Sequence, residues 1–344
     1  MEGSNAYHGR GSLDQTESRF NSIFVDRTLP IATQRRTTFH TDHATGILSK
    51  NTSEDLSFTY SLNPYQGCEH GCSYCYARTS HEYHGLGAGI DFESKIFVKE
   101  KAPDLLEKQF QKRWKPAVIA LSGNTDCYQP AERTYKLTRR VLAICQQYGN
   151  PVQIITKNDL VLRDLDLLQK LADESLVHVM ISITSLDEGI RARLEPRTSI
   201  YYKRLKAIET LQKARIPTSL LIAPVIPGLT DQEIPELLRV AASAGAETAH
   251  YSLIRLNGAV ERVFASWLDD HFPDRKAKIL HQIAETHEGH VGDFMPDRRM
   301  SGKGELAQTI KQLFKVYNRK YFHGRQLKPL SLTRFRKNGS MLLF

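Results

Sequence analysis

From about residue 57 the chain alternates short apolar runs with longer segments whose apolar residues recur every three to four positions. The runs cover residues 58–63, 117–122, 152–156, 177–184, 218–224 and 249–256. Runs such as VMISIT and LLIA do not alternate in polarity, the pattern of strands buried on both faces of a parallel sheet. The periodic segments between them, 132–148, 165–174, 202–214 and 231–244, are predicted helices. Thr230-Asp231 has the character of a helix start; Arg215-Ile216-Pro217 and Ala244-Gly245-Ala246 have that of stops. Such repetition predicts an α/β fold built as a βα barrel, closed or open, rather than a doubly wound sheet. In a barrel the chemistry sits at the C-terminal ends of the strands. Polar or special residues follow nearly every run: Cys68 onward, Gly123-Asn124-Thr125-Asp126, Lys157-Asn158, Ser182 and Thr184, Pro224, and Arg255.

The flanks differ from this middle. Residues 1–45 are rich in Ser, Thr, Asn, Arg and Gly and are expected to form an irregular N-terminal arm. The barrel core is expected over 46–258. A C-terminal extension, 259–344, should hold a helix over 275–287, a glycine-rich loop at 300–304 and a second helix running to Tyr317. Asn338-Gly339 lies between apolar runs and predicts a type I′ hairpin.

Composition narrows the function. With 344 residues, 40% of them hydrophobic and 25% charged, the chain can bury a sizeable core. No run approaches the roughly 20 apolar residues of a membrane span, and the first residues lack the apolar stretch of a secretory signal. A cytoplasmic protein with no membrane partner is expected. The net charge of +9 is uneven: residues 61–317 carry 34 bases against 31 acids, whereas 318–344 carry seven bases and no acid. That tail interleaves Arg319, Lys320, Arg325, Lys328, Arg334, Arg336 and Lys337 with Tyr321, Phe322 and Phe335. It is a candidate nucleic-acid contact; the bland alternative is a solubilising hairpin on the barrel edge.

Five cysteines are too few for a disulfide scaffold, and Cys68, Cys72 and Cys75 fall within eight residues as C-x3-C-x2-C. Three thiolates on one loop suit a metal centre. A 4Fe–4S cluster normally takes four thiolates, so three leave one iron open. The alternative is a Cys3His zinc knot with His70 as fourth ligand, in a non-enzymatic zinc-stabilised nucleic-acid-binding protein.

C-x3-C-x-aromatic-C after the first barrel strand, with Tyr74 in the aromatic slot, resembles the signature of the radical S-adenosylmethionine (SAM) superfamily. NPYQGCEHGCSYCYAR, GNTDCYQPAE, TKNDLVLRDLDLL, SITSLD, LEPRTS and IAPVIPGLTD resemble an uncharacterised bacterial branch related to spore photoproduct lyase. The resemblance implies a partial (β/α)6 TIM-like barrel. It implies an enzyme that reductively cleaves SAM at a 4Fe–4S cluster and uses the 5′-deoxyadenosyl radical to modify or repair a substrate such as nucleic acid. Whether it is a lyase, transferase or oxidoreductase stays open. An electron donor such as flavodoxin or ferredoxin is also implied. Cys68, Cys72 and Cys75 would hold the cluster. Thr125 and Asp126 would meet the SAM amino group, Lys157 its carboxylate, and Ser182 and Thr184 its ribose or carboxylate. Pro224 and Val225 would flank adenine, and Tyr76 matches a tyrosine near the reaction centre.

Each assignment has a plainer competitor: a helix cap for Asp126, a solvated strand end for Lys157, a packed ring for Tyr76. The chain also departs from the lyase. Gly123 stands where the lyase has a hydrogen-donor cysteine, which argues against thymine-dimer repair without touching the reaction class. Cys127, the nearest thiol, is a candidate redox or radical residue and equally a small buried hydrophobe. Cys145 is expected in the core. His81 and His84 are candidates for the site or for packing, and Glu195 and Arg197 for SAM contact or an ion pair that shapes their loop.

Overall fold

The apolar runs become strands whose both faces are covered, as their lack of alternation predicts. In the computed structural model, which describes residues 9–12, 16, 36–56 and 58–337, the strands are β1 (Thr38–Thr41), β2 (Leu48–Lys50), β3 (Tyr60–Leu62), β4 (Tyr65–Gln66), β5 (Lys95–Val98), β6 (Ile119–Leu121), β7 (Val152–Thr156), β8 (Val177–Ser182), β9 (Thr218–Val225) and β10 (Thr248–Leu253). The main sheet has the order β10-β9-β8-β7-β6-β3-β2. Its strands β3 and β6 to β10 are parallel; β2 adds an antiparallel edge on β3. Helices Leu137–Tyr148, Leu165–Asp173, Tyr201–Lys213 and Ile234–Ser243 connect successive strands, giving a partial (β/α)6 barrel. Among the described residues no helix is long and apolar enough to cross a membrane.

Differences from the predicted elements have local causes. The single helix expected over 132–148 breaks at Lys136, whose φ is +52°. Inside the break, the buried Glu132 carboxylate accepts the Thr138 backbone N–H at 3.0 Å and the Tyr65 hydroxyl at 2.5 Å, so it caps the second helix from within the core. Thr230 caps no helix; its hydroxyl instead accepts the Ile226 N–H. The last helix runs on to Phe322 rather than ending at Tyr317, and packs on Ile234–Ser243. The arm expected to be irregular contributes β1, which pairs in parallel with β5, and β4 pairs antiparallel with β5 to complete a second, three-stranded sheet. The Asn338-Gly339 turn lies outside the described residues.

The basic tail is built into the barrel. Phe335 packs edge-on against Phe110, with ring centres 5.6 Å apart, and also lies near Tyr148. Arg336 pairs with Glu174 and donates its N–H to the Tyr148 carbonyl at 2.8 Å. Ser331 donates to the Ser175 carbonyl, and Arg325 reaches the carbonyls of Ala242 and Ala246. These acceptors precede β7, β8 and β10, so the tail crosses the N-terminal ends of the strands. The cysteine loop lies at the other end. Phe335→Ala should therefore cost about 2–3 kcal/mol, below a fully buried ring because Phe335 is only partly covered. Urea unfolding measures this, and an unchanged midpoint would show that the tail is not docked in solution.

Candidate active site

The cysteine loop leaves β4 and ends at the 3-10 helix Tyr76–His84. Backbone bonds tie it down: Cys68 N–H to the Phe92 carbonyl at 2.9 Å, Ser73 N–H to that of Leu194 at 3.0 Å, and Glu69 N–H to the Gln129 side chain. Cys68 and Cys72 are buried and Cys75 is half-buried. Burial pushes all three thiols up, Cys68 further through Asp126 and its neighbouring thiols, Cys72 through Glu195. Thiols so placed ionise together only when a cationic centre takes up their charge. The donor set thus fits a metal cluster. His70, the fourth ligand that the zinc alternative requires, is committed elsewhere: Nδ1 lies 3.4 Å from Asp126 and Nε2 lies 3.1 Å from the Asn158 amide. With both ring nitrogens occupied it has no lone pair to give, so the Cys3His arrangement does not form.

A buried ion pair braces the loop from behind. Arg78, fully buried, donates Nε and Nη2 to the Cys72 carbonyl at 2.9 and 2.8 Å, and its charge is met by Glu93 at 2.5 Å. The Glu93 carboxylate also accepts two backbone N–H groups of the N-terminal segment, Gly11 on Oε2 at 3.0 Å and Ser12 at 2.6 Å on Oε1, the oxygen that Arg78 holds. Arg10 reaches the Glu93 carbonyl, and Thr16 accepts from Gly89. The N-terminal segment is therefore a strap across the cysteine loop. Its contact needs glycine on both sides: a Cβ on Gly11 would stand 1.4 Å from the Gly71 carbonyl oxygen, and one on Gly71 2.6 Å from Glu93, where φ is +68° besides.

In front of the loop, the strand ends form one polar chain. Lys157 Nζ, beyond β7, donates to Ser182 Oγ at 3.0 Å and the Ala223 carbonyl at 3.1 Å, and stands 5.9 Å from the centre of the Tyr74 ring. Ser182 and Thr184 both donate to that Ala223 carbonyl, next to Pro224 and Val225 on β9. Thr184 also donates to Glu195 at 2.7 Å, as does the Tyr74 hydroxyl. Glu195 pairs with Arg204 at 2.6 Å, both fully buried. Burial opposes ionisation of Glu195, but Arg204, Lys157 and the two hydroxyls outweigh it and hold the carboxyl at about 2.

The structure thus brings Tyr74, Lys157, Ser182, Thr184, Pro224 and Val225 to one place beside the cysteines. Thr125 and Asp126 are adjacent, but their polar atoms are engaged. Thr125 donates to the Tyr65 carbonyl at 2.9 Å. Asp126 accepts from Thr156, from the Lys157 and Tyr128 N–H groups, and from His70. Burial raises the Asp126 carboxyl, yet His70 and these donors bring it below the usual range. It is a latch between two strand ends rather than the helix cap weighed above. Tyr76 stays half exposed, its hydroxyl donating to the Gly123 carbonyl at 2.5 Å. Cys127 falls on the other side of the alternative posed for it: it is fully buried in the main apolar core with its thiol pushed up by burial, as is Cys145. His81 and His84 pack on Phe97, and Arg197 pairs with Glu69 at 3.7 Å.

The family model of the radical SAM superfamily matches residues 62–241, from β3 to the helix before β10. The chain belongs to the radical SAM superfamily. An uncharacterised protein of Mycobacterium tuberculosis is 33% identical over 241 residues, 69% of this chain and 71% of its own. One of Methanocaldococcus jannaschii is 32% identical over 225 residues, 65% and 81% of the two chains, so the branch reaches beyond bacteria. Among solved structures, a spore photoproduct lyase variant with bound SAM and a dinucleoside spore photoproduct superposes with a TM-score of 0.61 over 83% of this chain and 79% of its own, at 16% identity. At that identity the likeness is one of fold. Membership in the radical SAM superfamily makes the chain an enzyme, with SAM and an iron–sulfur cluster as its cofactors.

Sequence reasoning passed over Arg204, Arg78 and Glu93. Arg204 had left a signal: it shares the buried helix face of Ala207, Ile208 and Leu211, where a charge needs a partner. Glu93 had none, because IDFES is buried throughout and shows no face, and Arg78 lies in the short 3-10 helix Tyr76–His84, whose buried residues are mostly polar.

Two consequences can be measured. The Glu195 carboxyl moves from its ordinary 4.5 to about 2 in the fold. Its stabilisation is therefore full above 4.5 and is lost as pH falls towards 2. Glu195→Gln should cost about 3–5 kcal/mol at neutral pH and flatten the acid limb of the stability profile; an unchanged limb would show that the pair is not formed. Gly11→Ala should detach the strap, cost about 1–3 kcal/mol and speed the loss of iron to a chelator. Iron release at the parent rate would assign the strap no role.

Proposed function

We propose that this enzyme holds a 4Fe–4S cluster through Cys68, Cys72 and Cys75, binds SAM across the ends of β6 to β9, and modifies or repairs nucleic acid in a cytoplasmic setting. The observation that carries this is the meeting of three thiols, two buried and one half-buried, on one braced loop with the Lys157–Ser182–Thr184 chain. Cys68, Cys72 and Cys75 would hold the cluster with one iron open, and the cluster would supply the electron for reductive cleavage of SAM. The chain's own part is positional. Arg78 fixes the loop by its Cys72 carbonyl. Lys157 presents an ammonium to a carboxylate, and the Tyr74 ring and the half-buried strand ends keep water from the centre. A one-electron donor such as flavodoxin or ferredoxin would reduce the cluster.

Nucleic acid as substrate is supported by the likeness to a lyase solved with a dinucleoside photoproduct. We place its contact at the mouth, since the opposite end of the barrel takes up Arg325 and Arg336 of the tail. Gly123 occupies the donor-cysteine position, and the Tyr76 hydroxyl bonds its carbonyl, so the product-forming step is not assigned to dimer repair.

Anaerobic purification should yield a brown protein with about four irons and four sulfides per chain, and Cys72→Ala should be colourless. Dithionite and SAM should then release 5′-deoxyadenosine. A reduced protein with its cluster intact that never forms 5′-deoxyadenosine, with or without oligonucleotide, overturns the proposal.

A further inference from the structure

The mouth of the barrel carries a cation that the SAM site does not use. Arg255 follows β10 and is half-buried. Its guanidinium lies 5.0 Å from the centre of the Tyr76 ring, flat apolar support of the kind arginine favours. Its Nη1 donates to the Met300 thioether at 3.1 Å, a weak acceptor. That sulfur is held in place because the Met300 carbonyl accepts the Leu253 N–H at 2.9 Å. Among the described residues no carboxylate or carbonyl oxygen pairs with Arg255.

Among the described residues, the acids near Arg255 are paired with other arginines. Asp55, the nearby acid, is engaged by Arg299 through two bonds of 2.7 Å. Arg298 beside it is matched by Glu288 and Asp293. Burial and the repulsion of Arg299 both work against the Arg255 cation, with Asp55 offsetting part of this. A half-buried guanidinium whose contacts among the described residues are a ring and a thioether keeps N–H donors open to an anion. Tyr76 follows Cys75 directly, so an anion on Arg255 lies beside the last cluster cysteine.

We infer that Arg255, stacked on Tyr76, is the receptor for a backbone phosphate of the nucleic-acid substrate, the contact that sets the target nucleotide at the mouth. The inference rests on the nucleic-acid reading above. A guanidinium suits a phosphodiester because its planar fork meets two oxygens at once, and the Tyr76 ring lies beneath it at 5.0 Å.

The test uses the full chain with reconstituted cluster and a fluorescein-labelled single-stranded oligonucleotide, read by anisotropy over a range of salt. Arg255→Gln should weaken binding about tenfold and reduce the slope of log affinity against log salt by about one counterion. Arg255→Lys should restore the slope but not the full affinity, having the charge without the fork. Iron content and melting temperature report on folding in each variant. Parent-like affinity and slope in Arg255→Gln overturn this inference and leave the nucleic-acid reading standing. Absence of oligonucleotide binding by the parent protein overturns that reading and this assignment with it. If Arg255→Gln abolishes the SAM-induced change in the cluster's electron paramagnetic resonance spectrum, the guanidinium serves the SAM carboxylate, and the assignment to substrate is wrong.

Discussion

Two buried arginine–carboxylate pairs carry the site, and the rest of the structure is arranged around keeping them dry and satisfied. Arg78–Glu93 grips the cysteine loop from behind; Arg204–Glu195 anchors the Tyr74 and Thr184 hydroxyls in front of it. A buried pair gains little over an apolar core, because each ion gives up its hydration. These pairs hold because every arm of each guanidinium has an acceptor. Arg78 spends its remaining donors on the carbonyls of Cys72, Ala88 and Gly89, and Arg204 on those of Ser182 and Ser199. What they supply is position. A carbonyl held by a planar fork cannot drift, and Cys72 lies between the two pairs.

The same requirement explains why the N-terminal strap exists. Glu93 offers two carboxylate edges, and Arg78 takes one of them. The other, Oε2, would be buried without a donor unless something supplied an N–H group, and Gly11 does so, while Ser12 adds a second donor to the oxygen that Arg78 holds. The absence of a Cβ on Gly11 and on Gly71 lets the two backbones approach closely enough for those bonds to form.

The parts of this fold that were legible from sequence are the ones whose signal is periodic. The parallel strands stood out as unalternating apolar runs, and their ends marked the residues beside the cysteines. Elements two to four residues long, such as β4 and β5, have no period to detect. The strap was invisible for another reason: Gly-Arg-Gly-Ser has the composition of a loose arm, and only a distant carboxylate gives it a place. Charge totals likewise do not show which bases find partners. Seven bases without an acid describe a nucleic-acid tail, yet Arg336 finds Glu174 far along the chain and Phe335 finds a groove between Phe110 and Tyr148.

That relocation sharpens what the site can do. Arg325 and Arg336 are engaged at the N-terminal ends of the strands, and two other cations, Lys157 and Arg255, stand at the mouth beside the cysteines. Lys157 is oriented before any ligand arrives, since Ser182 and the Ala223 carbonyl already hold its ammonium. A carboxylate reaching it meets a fixed charge, and little of the lysine's rotamer entropy remains to be lost. Arg255 contacts a ring and a sulfur and, among the described residues, has no oxygen partner in the protein. The two cations are thus prepared to different degrees. One already has oxygen partners and would exchange them for the cofactor's carboxylate. The other would gain its first oxygen partner from outside the protein's described residues by exchanging water for an anion.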